Sequence, residues 1–259
     1  MCVELDLEGA VVLVTGGVRG VGAGISRAFV RAGAVVVTCA RRESEVPGTS
    51  FLPCDVRDAE QVSELMSTVV SRHGRVDVLV NNAGGAPYAS AATASPRFHQ
   101  KVVELNLLAP LLVSQAANAV MQQQPSGGAI VMVSSVSARR PSPGTAAYGA
   151  AKAGLDNLTA SLAVEWAPKV RVNSLNVGMV RTEQSHLHYG NEEGIAAVAR
   201  TVPLGRLASP DDIGGCAVFL ASPLASYVSG ATLLVHGGGE VPAFLAASNA
   251  ASNSEEEPS

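Results

Sequence analysis

Apolar positions along this chain fall into two alternating patterns. Predominantly apolar runs of strand length occupy 10–14, 35–38, 76–80, 129–133, 170–175 and 232–235. Runs of that length rich in apolar residues are what parallel strands covered on both faces require. Stretches of helix length stand between them. In one, Val62, Leu65, Met66, Val69 and Val70 recur at steps of three and four, which aligns one apolar face on a helix starting near Asp58. A second helical stretch covers 98–121 and closes at QQQPSGG, where Pro125, Gly127 and Gly128 reverse the chain; a third covers 146–166. Strands and helices in this alternation predict βαβ units and an α/β fold, a doubly wound parallel sheet with helices on both faces.

Composition adds the scale. A chain of 259 residues, 47% hydrophobic and 15% charged, has apolar surface for one large core, and a single domain is expected over 1–245. The acidic segment AASNAASNSEEEPS has no large apolar side chain to bury and reads as a disordered tail over 246–259. So low a charge leaves an apolar exterior, and a homo-oligomer, tetramer or dimer, is expected. Net charge is −4 and no basic stripe exists, which excludes a nucleic-acid partner. Cys2, Cys39, Cys54 and Cys216 lack disulfide or metal-ligand spacing, so no metal is expected. The opening MCVELDLEGAVVLV lacks a basic region followed by a long apolar stretch, and nowhere do 18 apolar residues run unbroken. No membrane partner is implied, and a cytoplasmic protein is expected.

The glycines after the first strand bring the first chemistry. In TGGVRGVG, Gly16, Gly20 and Gly22 separate that strand from a helix starting near Val21. A pyrophosphate must approach backbone N–H groups at a helix N-terminus, and a side chain there would block it. The turn thus predicts a Rossmann-type nucleotide site. Such folds place an acid at the end of the second strand to bind a ribose diol, but Ala40 stands at that point. Arg41 and Arg42 follow it, and Arg19 lies inside the glycine turn. Two segments therefore bring guanidinium groups to the ribose, which favours the 2′-phosphate of NADP(H) over NAD(H), with NAD(H) the alternative.

A second cluster lies near the middle of the chain. In YGAAK, Tyr148 and Lys152 are four residues apart on a predicted helix and share a face. A phenol has a pKa near 10, so it exchanges protons at neutral pH only if a nearby cation stabilises its anion. Lys152 is placed to be that cation.

Together these motifs make the chain resemble the classical short-chain dehydrogenase/reductase family from about Leu7 to Gly239. TGGVRGVG resembles the family's nucleotide turn, and NNAG, with Asn82, Ala83 and Gly84, resembles its fourth-strand motif. Asn106 in ELNLLAP resembles its active-site asparagine, and Ser135, standing 13 residues before Tyr148, resembles its catalytic serine. Ser134 and Ser137 are then structural, because a one-residue shift on a strand points the side chain to the other face. Asp55 in the CDV string resembles the residue that holds the adenine amino group, with Val56 beside it. Val21, Gly178, Val180 and Thr182 fall at further positions that contact the cofactor in the family.

The resemblance implies hydride transfer between NADP(H) and a carbonyl or alcohol substrate. Tyr148 is the implied proton donor or acceptor, Ser135 the hydrogen-bond partner of the substrate oxygen, and Lys152 the group that holds the nicotinamide ribose and lowers the tyrosine pKa. Asn106 is implied to bind a water on the proton path. Two residues depart from the family pattern. Val177 stands where a proline is usual, which implies a less rigid loop beside the nicotinamide, and His236 stands where an aspartate is common.

The stretch after Thr182 resembles the family's variable substrate cover, with Gly190 and Gly194 as hinges and His186, His188 and Tyr189 as possible lining. Arg139 and Arg140 fall at the pocket mouth. The substrate classes implied are a ketone on a hydrophobic ring system, steroid-like compounds included, or a 3-oxoacyl thioester. An enoyl reductase would space its tyrosine and lysine further apart. The alternative from another class is a non-catalytic NADP(H)-sensing protein, for which a retained Ser135, Tyr148 and Lys152 would have no use.

Overall fold

The computed structural model describes residues 5–247. Cys2 and most of the expected tail lie outside them; the first two tail residues close a short helix, Ala243–Ala247. Seven parallel strands form one sheet in the order β3-β2-β1-β4-β5-β6-β7. They are β1 Val11–Thr15, β2 Val35–Ala40, β3 Thr49–Pro53, β4 Val78–Asn81, β5 Gly128–Ser135, β6 Val170–Val177 and β7 Thr232–Val235. The helices are α1 Gly20–Arg31, α2 Ala59–His73, α3 Pro96–Val103, α4 Ala109–Met121, α5 Ala146–Glu165, α6 His186–Tyr189, α7 Glu192–Arg200, α8 Pro210–Ala221 and α9 Ala243–Ala247.

Six strands match the apolar runs of the sequence, and β3 does not. It is an edge strand whose residues are half-buried or exposed and which ends in Pro53, so it lacks the apolar run of a central strand. The helical stretch 98–121 is also more complex than its periodicity implies. It starts at Pro96 behind the Ser95 cap and is interrupted by a π-helical turn at Glu104–Leu108. Together α3, that turn and α4 are long and apolar enough to span a membrane by composition. Here the apolar face formed by Val102, Ala109, Val113, Ala117 and Met121 is buried in the domain.

Each face of the sheet carries its own core. On one, Val12, Val14, Ile25, Phe29, Ile213 and Leu220 pack α1 and α8 against the strands. On the other, Leu13, Leu79, Met132, Val69, Val113 and Leu155 join the sheet to α2, α4 and α5. Side chains this deeply buried stabilise a fold by about 1.5–3 kcal/mol each. The strand order reverses at β1, which pairs with both β2 and β4. In open α/β sheets the crevice beyond such a switch point, at the carboxyl ends of the strands, is where ligands bind. Both the glycine turn and NNAG emerge there.

Val177 answers one question raised by the sequence. It is the last residue of β6, buried, and in register with Ser135 on one side and Val235 on the other. Sheet pairing therefore fixes the position where a proline ring would otherwise act, and the loop begins only at Gly178.

Candidate active site

At the carboxyl end of β1 the chain turns through Gly16 and Gly20, both with positive φ (+62° and +50°), a backbone that side chains other than glycine rarely adopt. Gly22 has a different reason to be glycine, since a Cβ there would collide with the Gly16 carbonyl. The turn is tied to NNAG. Asn82 Nδ2 donates to the Thr15 and Gly16 carbonyls, each at 3.0 Å, while the Asn82 and Ala83 amides donate to Thr15 Oγ1 at 3.0 and 3.1 Å. Helix α1 follows with Arg19 at its N-cap and no side-chain cap of its own. The acceptor that reaches the helix end comes from far along the chain: the Gly20 amide donates to Glu183 Oε1 at 3.1 Å. No local motif marks Glu183, and the sequence reading missed it.

Beyond β2, Ala40 is half-buried and Arg41 and Arg42 are exposed; among the described residues, none of Arg19, Arg41 and Arg42 forms an ion pair. Asp55 is held in a fork by Arg57, at 2.9 Å from Nε and 2.6 Å from Nη2. That guanidinium holds the Asp55 carboxyl below the usual carboxylate range, with a smaller contribution from nearby Arg41. Arg41 and Asp55 thus flank the same end of the crevice. The thiols of Cys39 and Cys54 are buried just below as core residues.

The second cluster forms where β5 ends and α5 begins. Ser135 is the last residue of β5, and its hydroxyl lies close enough to Tyr148, on the first turn of α5, to pull the phenol pKa down. Ser135 Oγ also accepts the Ser137 amide at 3.2 Å. Its neighbours do other work, since buried Ser134 donates to the Lys152 carbonyl at 3.2 Å and Ser137 Oγ accepts from Ser142 at 3.2 Å. Burial raises the Tyr148 pKa above that of free tyrosine, and the Ser135 hydroxyl opposes the rise.

Lys152 is held by the backbone. Its Nζ donates to the Val133 carbonyl at 2.8 Å and lies 5.7 Å from the centre of the Tyr148 ring. Burial pushes the lysine down to about 8, against the pull of Asp156 one turn on. Asp156 in turn accepts hydrogen bonds from Ser174 Oγ at 3.0 Å and Asn176 Nδ2 at 2.9 Å, anchoring α5 to β6.

Asn106 sits on the π turn, fully buried. Its side-chain amide makes a reciprocal pair with Gly85, accepting from the amide at 3.1 Å and donating to the carbonyl at 2.9 Å, and it donates again to Val102 at 2.9 Å. Both side-chain donors are engaged with backbone, so the asparagine locks the NNAG loop to the helix, and a water could be taken only by its remaining acceptor capacity.

On the far side, Gly178 meets the C-terminal end of β7. A Cβ there would come within 2.8 Å of the His236 Cβ, and the Gly178 amide donates to the Val235 carbonyl at 2.9 Å. Val180 bridges to Ala208, and Thr182 turns the chain back toward α1. Of the three residues proposed to line a pocket, His186 and His188 are exposed, whereas Tyr189 is half-buried and close enough to Tyr148 to raise its pKa slightly. Arg140 and Glu240 form a 2.9 Å ion pair beside Tyr189, at the edge of a cavity of about 310 Å³ also lined by Val136, Met179 and His236. Among the described residues no cluster could hold a metal ion.

A family model described as Enoyl-(Acyl carrier protein) reductase matches residues 16–240. Human dehydrogenase/reductase SDR family member 4 is 34% identical, covering 90% of this chain and 88% of that protein. L-fucose dehydrogenase of Bos taurus is 37% identical, covering 93% of each. Among solved structures, the ligand-free aldohexose dehydrogenase of Thermoplasma acidophilum superposes with a TM-score of 0.87 at 28% identity, covering 91% of this chain and 96% of that one.

Proposed function

The chain belongs to the short-chain dehydrogenase/reductase family, and from that premise we propose that it interconverts a ketone and an alcohol using NADP(H), with Tyr148 exchanging the proton. Family membership makes it an oxidoreductase that acts on alcohol or carbonyl groups with a nicotinamide nucleotide. The observation that carries the finer reading is the convergence of Ser135, Tyr148 and buried Lys152 where β5 ends and α5 begins.

The residues at the switch point fit a nucleotide. Helix α1 offers its N-terminus without a side-chain cap, and the group that has found it is an anion, the Glu183 carboxylate. Gly16, Gly20, Val21 and Gly22 would line the pyrophosphate; Asp55 and Val56 the adenine; and Asn82, Ala83, Gly84, Gly178, Val180 and Thr182 the remainder. Exposed Arg19 and Arg41, with Ala40 in place of an acid, support the 2′-phosphate. When bound, the nucleotide supplies or takes the hydride at the substrate carbon. Tyr148 gives its proton to the carbonyl oxygen in reduction, and Ser135 donates a hydrogen bond to that oxygen as charge builds on it. Lys152, freed from the Val133 carbonyl, has the reach and charge to hold ribose hydroxyls.

The substrate is read as a ketone on a hydrophobic ring system or a 3-oxoacyl thioester. Relatives named for L-fucose and aldohexose add a third class, the aldoses. An enoyl substrate is disfavoured by the four-residue spacing of Tyr148 and Lys152. A cytoplasmic homo-oligomer belongs to the same reading, supported by free Cys39, Cys54 and Cys216 and by exposed Leu108, Val164, Leu224 and Tyr227.

The test is consumption of NADPH and NADH against cyclic ketones, 3-oxoacyl thioesters and aldohexoses. A lower KM for NADPH with turnover in one class supports the reading. A clear NADH preference overturns the phosphate assignment, and tight NADPH binding without turnover in any class would make the protein a sensor.

A further inference from the structure

The Gly20 amide is one of the donors that a pyrophosphate at this turn would use, and the Glu183 carboxylate takes it at 3.1 Å. Glu183 lies 163 residues further along the chain, so the contact is tertiary and not a helix cap built into α1. We propose that Glu183 is a built-in competitor for the pyrophosphate seat, and that the arriving nucleotide displaces its carboxylate together with the segment from Glu183 to Tyr189. The proposal rests on the cofactor reading above.

The physical reason is mutual exclusion. A carboxylate and a pyrophosphate are both anions seeking the same unpaired N–H groups and the same positive helix end. Held side by side they would repel, so occupancy by one disfavours the other.

Displacement of Glu183 is transmitted because the segment is a tight unit. The Thr182 amide donates to Ser185 Oγ at 2.9 Å, the Gln184 amide to Thr182 Oγ1 at 3.2 Å and the Tyr189 amide to the Ser185 carbonyl at 2.9 Å. Ser185 is buried and anchors this unit. At its far end stands Tyr189, beside Tyr148. The latch therefore links the pyrophosphate seat to the cover of the candidate catalytic tyrosine. The released carboxylate has room to turn away, since Glu183 borders a cavity of about 660 Å³.

The experiment measures NADPH dissociation constants for the wild-type protein, Glu183→Ala and Glu183→Gln, with amide hydrogen exchange over the segment. Loss of a competing charge at an exposed helix end should tighten NADPH binding about two- to fivefold in Glu183→Ala, and less in Glu183→Gln, which keeps the acceptor oxygen. Without nucleotide, Gly20 and residues 182–189 should exchange faster in Glu183→Ala than in wild type, and saturating NADPH should erase that difference. Equal or weaker NADPH binding in both variants overturns the latch, as does unchanged exchange without nucleotide. Failure of all three proteins to bind either NADPH or NADH would instead remove the cofactor reading, and the latch with it.

Discussion

Lys152 Nζ donates to the Val133 carbonyl at 2.8 Å, inside the domain and one helical turn from Tyr148. This ties an ammonium to the backbone of β5 just before Ser135. With its pKa held at about 8 by burial, Lys152 binds a proton less readily in the folded chain than in the unfolded one, where the value is 10.5. Between those two pH values the unfolded state holds the extra proton, so stability contributed by this group rises with pH. Denaturant unfolding from pH 7.5 to 10.5 should show that rise in wild type and lose it in Lys152→Met, by up to roughly 3 kcal/mol. Parallel curves for the two proteins would show that the lysine is not desolvated.

Tyr148→Phe keeps the ring and removes the hydroxyl near Ser135. Turnover should fall about 100- to 10,000-fold, the scale of general acid catalysis, while NADPH binding measured by fluorescence titration stays within a few fold. Turnover near the wild-type rate would assign the proton to another group.

On the proposed NADP(H) reading, Arg41 carries the cofactor preference. Arg41→Ser should raise the KM for NADPH about tenfold, as expected for a lost charge-assisted contact, and leave the KM for NADH nearly unchanged. Parallel loss with both nucleotides would mean that Arg41 supports the fold of the loop and does not read the phosphate.

Gly178 is required by the close approach of His236. Gly178→Ala would place a methyl group 2.8 Å from the His236 Cβ, so the loop or the end of β7 must shift. A loss of about 1–3 kcal/mol in denaturant unfolding is expected, the usual cost of an overpacked site. In the double variant with His236→Gly the loss should shrink, because the clash is with that side chain as well as its backbone.

Much of this protein is determined by its sequence alone. The apolar runs and the helical periodicity are local, so Val11–Thr15, Ala59–His73 and Ala146–Glu165 are legible without any tertiary contact. The same holds for the glycine turn and for the four-residue step from Tyr148 to Lys152, since each is defined within one element. What depends on distant partners was not legible. Thr49–Pro53 is a strand only because β2 is there to pair with it. The π turn at Asn106 serves a lock on Gly85, 21 residues away. The state of Lys152 follows from burial and from the Val133 carbonyl, neither of which its local pattern shows. Glu183 reaches the glycine turn only because β6 returns the chain to the switch point of the sheet, bringing a carboxylate to a helix end whose N–H groups have no local partner.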